Sequence, residues 1–85
     1  MKWMRPKRLP FFGALDRGCI LRLRATSVAG DPGRHRYSWE IRVTRGATLT
    51  LSSTLVAGTA VEAKAEAARL QRILLMGIEA EASLA

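Results

Sequence analysis

Residues 35–55 read His35-Arg36-Tyr37-Ser38-Trp39-Glu40-Ile41-Arg42-Val43-Thr44-Arg45-Gly46-Ala47-Thr48-Leu49-Thr50-Leu51-Ser52-Ser53-Thr54-Leu55. Tyr37, Trp39, Ile41 and Val43 fall on one side of an extended chain, and Ser38, Glu40, Arg42 and Thr44 on the other. A period of two residues is that of a half-buried strand, and aromatic and β-branched side chains suit its pleated surface. Arg45-Gly46 makes a short hairpin connection. A second alternation follows, with Ala47, Leu49, Leu51 and Ser53 facing in and Thr48, Thr50 and Ser52 facing out.

Working towards the N-terminus, Cys19, Leu21, Leu23 and Ala25 share one face, with Arg22, Arg24 and Thr26 on the other. This run ends at Ala29-Gly30-Asp31-Pro32-Gly33, where Pro presets φ and the following Gly accepts a positive φ, as in a type II turn. Three antiparallel strands are predicted in meander order, over about 19–28, 36–44 and 47–55, with one wet face. Working towards the C-terminus, Thr59-Ala60-Val61-Glu62 is a capping-box sequence. The Thr59 hydroxyl is placed to accept from the third helical amide, and Glu62 to reach back to the Thr59 amide. A helix is predicted over about 60–81, with Ala63, Ala67, Leu70, Leu74 and Ile78 as its apolar stripe. The expected fold is α+β, a two-layer βββα arrangement: a three-stranded antiparallel meander packed on one C-terminal helix. The domain is expected to span residues 18–85. Residues 1–17, broken by Pro6, Pro10 and Gly13, show no sustained period and are expected to form a basic, flexible N-terminal arm, in which Met4 offers a second translational start.

The chain has 85 residues, a formal charge of +7 and one each of Cys and His. This length suits one small domain. A single Cys excludes an internal disulfide, and one Cys with one His leaves too few ligands for a self-contained zinc site, so neither metal nor cofactor is expected. Apolar runs such as Ile73-Leu74-Leu75-Met76 fall far short of the roughly 18 residues that span a membrane. The segment Leu9–Leu15, broken by Pro10 and closed by Asp16, is too short to drive secretion. A cytoplasmic protein without membrane insertion is the expectation, and an unpaired thiol is ordinary there.

The charge is unevenly distributed. Residues 1–46 carry eleven Lys and Arg against three Asp and Glu, whereas residues 47–85 carry three against four. Such asymmetry suggests a polyanionic partner. Arg22, Arg24 and Arg42 fall on the predicted open sheet face, with Thr48 and Thr50 as hydrogen-bond donors. Arg34, Arg36 and Arg45 at the hairpin ends, and Arg5, Lys7 and Arg8 in the arm, extend the candidate nucleic-acid surface. No catalytic constellation is present. Cys19 and His35 begin adjacent antiparallel strands and so lie at opposite ends of the sheet, and the expectation is a non-enzymatic domain. Ile73, Leu75 and Met76 widen the apolar surface of the helix beyond its stripe. They suggest the alternative reading, an interaction or accessory module that dimerises through this end of the helix.

The pattern Tyr37-x-Trp39-x-Ile41, Leu49 and Leu51 before Ser52-Ser53, and Thr59-x-x-x-Ala63 resembles the strand-strand-strand-helix unit of YegP-like small bacterial proteins over about residues 37–74. That family usually carries two such units in tandem. The resemblance implies a βββα fold, is consistent with dimerisation of a single unit, and supplies no site residues. Gly30-Asp31-Pro32, His35, Tyr37-x-Trp39-x-Ile41, Gly58-Thr59 and Ala63-Lys64-x-x-Ala67-Ala68 also resemble double-stranded RNA-binding domains. This second likeness implies the same three-strand, one-helix core. The lysines with which that family contacts phosphate at the start of its last helix are replaced here by Ala60, Val61 and Glu62, leaving Lys64.

Overall fold

The computed structural model describes residues 2–4, 11–28, 36–46 and 49–84. Arg5, Lys7, Arg8, Arg34, His35, Ala47, Thr48 and the Pro32-Gly33 turn lie outside the described residues, as do the side chains of Phe11 and Ile78. The chain order is β1 (Trp3–Met4), β2 (Phe11–Asp16), β3 (Cys19–Val28), β4 (Tyr37–Arg45), β5 (Leu49–Gly58) and α1 (Ala60–Leu84). The sheet is antiparallel throughout, in the order β1-β2-β3-β4-β5. One helix packs across β3, β4 and β5.

The expected α+β class and C-terminal helix are present, but the sheet has five strands rather than three. Both extra strands come from residues 1–17, the segment expected to be an arm. Two features conceal β2 in the sequence. Its alternate faces are both largely apolar, since Phe12 and Ala14 face the helix while Leu15 lies on the opposite face, 75% exposed. Its hairpin turn also lacks the usual Asn-Gly or Asp-Gly pair. Asp16 and Cys19 close a two-residue turn in which Arg17 and Gly18 both take positive φ, 50° and 76°, as a type I′ geometry requires.

The register sets the core. Cys19, Leu21, Leu23, Trp39, Ile41 and Val43 are almost completely buried, together with Ala14 and with Ala63, Ala67, Leu70 and Leu74 of the helix. Each large side chain withdrawn from water contributes on the order of 1.5–3 kcal/mol. Trp3 and Phe12 extend this cluster under the N-terminal half of the helix. Lys64 lies over their rings, with Nζ 4.6 Å from the Phe12 centroid and 5.9 Å from the Trp3 centroid, so its stem covers apolar surface.

Two bulges shape the end of the sheet where the helix begins. β3 gains a residue between Ala25 and Ser27, and β5 gains one opposite Tyr37–Trp39. Side chains hold this end: the Thr26 hydroxyl donates to the Ser38 carbonyl at 3.0 Å, the Ser38 hydroxyl to the Val56 carbonyl at 2.9 Å, and Trp39 Nε1 to the Gly58 carbonyl at 2.8 Å. The chain then enters the helix through Thr59. Its hydroxyl accepts from the Glu62 amide at 3.2 Å, as expected of an N-cap. The Glu62 carboxylate does not bond the Thr59 amide as expected; its Oε1 lies 3.4 Å from the Thr59 hydroxyl and 3.7 Å from Arg36 Nη1.

Candidate nucleic-acid interface on the open sheet face

Alternation along β3, β4 and β5 carries one set of side chains to the helix and the other to the bare side of the sheet. The bare side is organised in cross-strand rows. Arg22 stands directly opposite Arg42, which stands opposite Ser52. In the next row, Arg24 is opposite Glu40 and Glu40 is opposite Thr54. Opposed residues have Cβ atoms roughly 4.5–5.5 Å apart, and successive rows lie about 6.8 Å apart. These side chains, all exposed, line a trough of about 580 Å³ with Ile41 and Ser53 in its floor. Towards the hairpin turns the rows become less polar. Leu15 pairs with Ile20, and the Thr50 hydroxyl donates to that of Thr44 at 3.3 Å.

Arg22, Arg24 and Arg42 have no ion-pair partner among the described residues, unlike Arg17, Arg36 and Arg69. Arg17 lies 3.5 Å from the Asp16 carboxylate. Arg69 Nε donates to Glu66 Oε1 at 2.8 Å and its Nη2 donates to the same oxygen; this hydrogen bonding, then the opposite charge, raises the Arg69 pKa above its ordinary value. Lys64 is engaged by two aromatic rings. By contrast, Arg22 and Arg42 are held face to face by the strand register, an arrangement that costs stability when no anion is present. In bulk water two unit charges about 6 Å apart repel by roughly 0.7 kcal/mol, and more beside a low-dielectric surface.

Of the residues assigned to this surface from sequence, the fold brings together Arg22, Arg24 and Arg42. Arg36 and Arg45 stand elsewhere. Arg36 Nη1 donates to the Ala57 carbonyl at 3.1 Å and neighbours Glu62, which ties it to the β5–helix junction. Arg45 shares the helix-facing register of Val43, opposite Cys19 and Leu49, and its side chain lies near Gly18 in the β2–β3 turn. Arg5, Lys7, Arg8 and Arg34 are outside the described residues. Ser52 and Thr54 join the trough; the uncharged Ser/Thr alternation of β5 is the signal for them. Cys19 is completely buried at the start of β3.

At the other candidate surface, Ile73 and Met76 are 46% and 60% exposed on the helix, whereas Leu75 is half-buried against the core. Among the described residues no helix is long and apolar enough to cross a membrane. Comparison with known proteins finds no matching family model, no matching curated protein and no matching solved structure.

Proposed function

We propose that this chain is a non-catalytic nucleic-acid-binding domain that engages phosphates through the open face of its sheet. The observation that carries this reading is the unpaired Arg22–Arg42 juxtaposition, in a trough also lined by Arg24 opposite Glu40 and by the hydroxyls of Ser52 and Thr54. Three guanidiniums provide forked donors suited to phosphate oxygens, and Ser52 and Thr54 add neutral donors beside them. The described aromatic rings Trp3, Phe12, Tyr37 and Trp39 all belong to the helix-facing side. The trough therefore offers backbone contacts rather than a base-stacking platform.

Fluorescence anisotropy with labelled duplex and single-stranded oligonucleotides across a salt series tests the proposal. Neutralising three phosphates gives a log–log salt slope of about −2.7, or about a 40-fold loss of affinity between 50 and 200 mM salt. Replacing Arg22, Arg24 and Arg42 together by Gln is expected to abolish that portion of the slope. Absence of binding at low salt, or an unchanged slope in the triple variant, refutes the assignment.

A further inference from the structure

The two edges of the sheet are not equivalent. Among the described residues, β1 is an edge of only two, Trp3–Met4. β5 is an edge of ten residues, Leu49–Gly58, paired on its inner side with β4 and, among the described residues, with no strand on its outer side. Every second residue of such an edge presents a backbone N–H and C=O outwards. The usual guards against edge pairing, lysines and prolines, are missing, since the sequence from Ala47 to Gly58 contains no charged residue and no proline.

We infer that β5 pairs with β5 of a second copy of this chain, antiparallel and about a two-fold axis at Ser53, to make one continuous ten-stranded sheet. The side-chain pattern is self-complementary in that register. Leu51 falls opposite the partner's Leu55, Ser52 opposite the partner's Thr54, and Ser53 opposite itself. Leu51 and Leu55 are only half-buried against their own core, so each protomer offers an apolar step on the helix side where the other does. Charge also favours a second copy over another ligand. In a chain of net charge +7, a strand built to capture an acidic segment would carry cations, and this one is neutral.

The geometry keeps the charged rows apart. Across the joint, the two Arg42 side chains are separated by three strand spacings, about 14 Å. That exceeds the Debye length of about 8 Å at physiological salt, so their repulsion is screened. A two-fold joint uses up the β5 edge of both copies, and the assembly closes as a dimer. This inference does not depend on nucleic-acid binding, although it sets two arginine clusters side by side on one surface.

The test is the mass in solution of nucleic-acid-free full-length protein, by sedimentation equilibrium. The native chain is expected at twice its 9.3 kDa. A Ser52→Lys/Thr54→Lys variant, altered only at exposed positions, is expected at the single-chain mass with unchanged circular dichroism. An equimolar mixture with Ser52→Glu/Thr54→Glu is expected to return to the doubled mass, because opposite charges then face each other across the joint. Hydrogen exchange on the native chain needs no variant: alternate β5 amides are expected to lose protection on dilution. A native chain of single mass, β5 amides indifferent to dilution, or a doubled mass that survives the lysine pair overturns the inference. So does a doubled mass lost on Ile73→Ser/Met76→Ser, which would place the contact on the helix.

Discussion

Gln71 and Asp16, 55 positions apart, are joined by two hydrogen bonds: Gln71 Nε2 donates to the Asp16 main-chain carbonyl at 3.0 Å and to its Oδ2 at 2.9 Å. Gln71 is a buried polar residue beside the apolar stripe, and it fixes the helix to the β2–β3 turn. Its amide satisfies groups that the turn would otherwise leave poorly paired under the helix.

Replacing Gln71 by Ala is therefore expected to lower stability by about 1–3 kcal/mol. Gln71→Glu adds a sharper test, because it sets a carboxylate against that of Asp16. The introduced acid holds its proton more firmly in the folded chain than in the unfolded one. The folded state of the variant then binds the extra proton, so stability is gained as pH falls and lost as pH rises through the carboxyl range. Urea midpoints at about pH 4 and about pH 7 check this against the parent chain. A variant as stable as its parent at the higher pH would contradict the role given to this residue.

Arg17 occupies the left-handed region at φ 50° without being glycine. That conformation costs an ordinary L-residue about 1–2 kcal/mol. Arg17→Asn converts the turn to Asn-Gly, the pair most suited to a type I′ hairpin. The change sacrifices an exposed ion pair to Asp16, a contact of small worth. Thermal denaturation is expected to show a gain near 1 kcal/mol, which for a domain of this size is about 4–8 °C in Tm. A decrease in Tm would mean that the Arg17 side chain contributes more than its exposure implies.

Gly58 is buried where β5 hands over to the helix, and a Cβ there would fall 2.2 Å from Leu55 Cδ2 and 2.7 Å from its Cγ. Gly58→Ala thus forces Leu55 from its position, at a cost of about 1–3 kcal/mol. The penalty is expected to shrink in the presence of Leu55→Ala, which removes the colliding atoms. A double-mutant cycle from chemical denaturation measures this coupling. Additive effects would show that the backbone at Gly58, not Leu55, is what resists the side chain.

β3, β4, β5 and the helix were legible because each has one apolar and one polar face, so the period of two or 3.6 is visible. Tyr37, Trp39 and Ile41 lie on the side expected, and Arg22 and Arg42 on the other. β1 and β2 were not legible, because Leu15 and Met4 are apolar yet exposed and Pro10 interrupts the run. The placement of Lys64 over Phe12 and Trp3 was not legible either, because it depends on the N-terminal strands. Gln71 was missed because a polar residue next to a stripe gives no local sign of a partner 55 positions away.

The amino-acid order alone determined which side chains of β3 and β4 face water, since side-chain direction in a strand follows from position parity and needs no partner. It also set the start of the helix, because a cap acts within one turn. Only the tertiary structure decided that Arg22 opposes Arg42, that residues 3–4 and 11–16 complete the sheet, and that β5 rather than β3 or β4 is left at its edge. Those outcomes depend on strand register and pairing, which join residues far apart in sequence and are selected by the burial of a shared core rather than by local pattern.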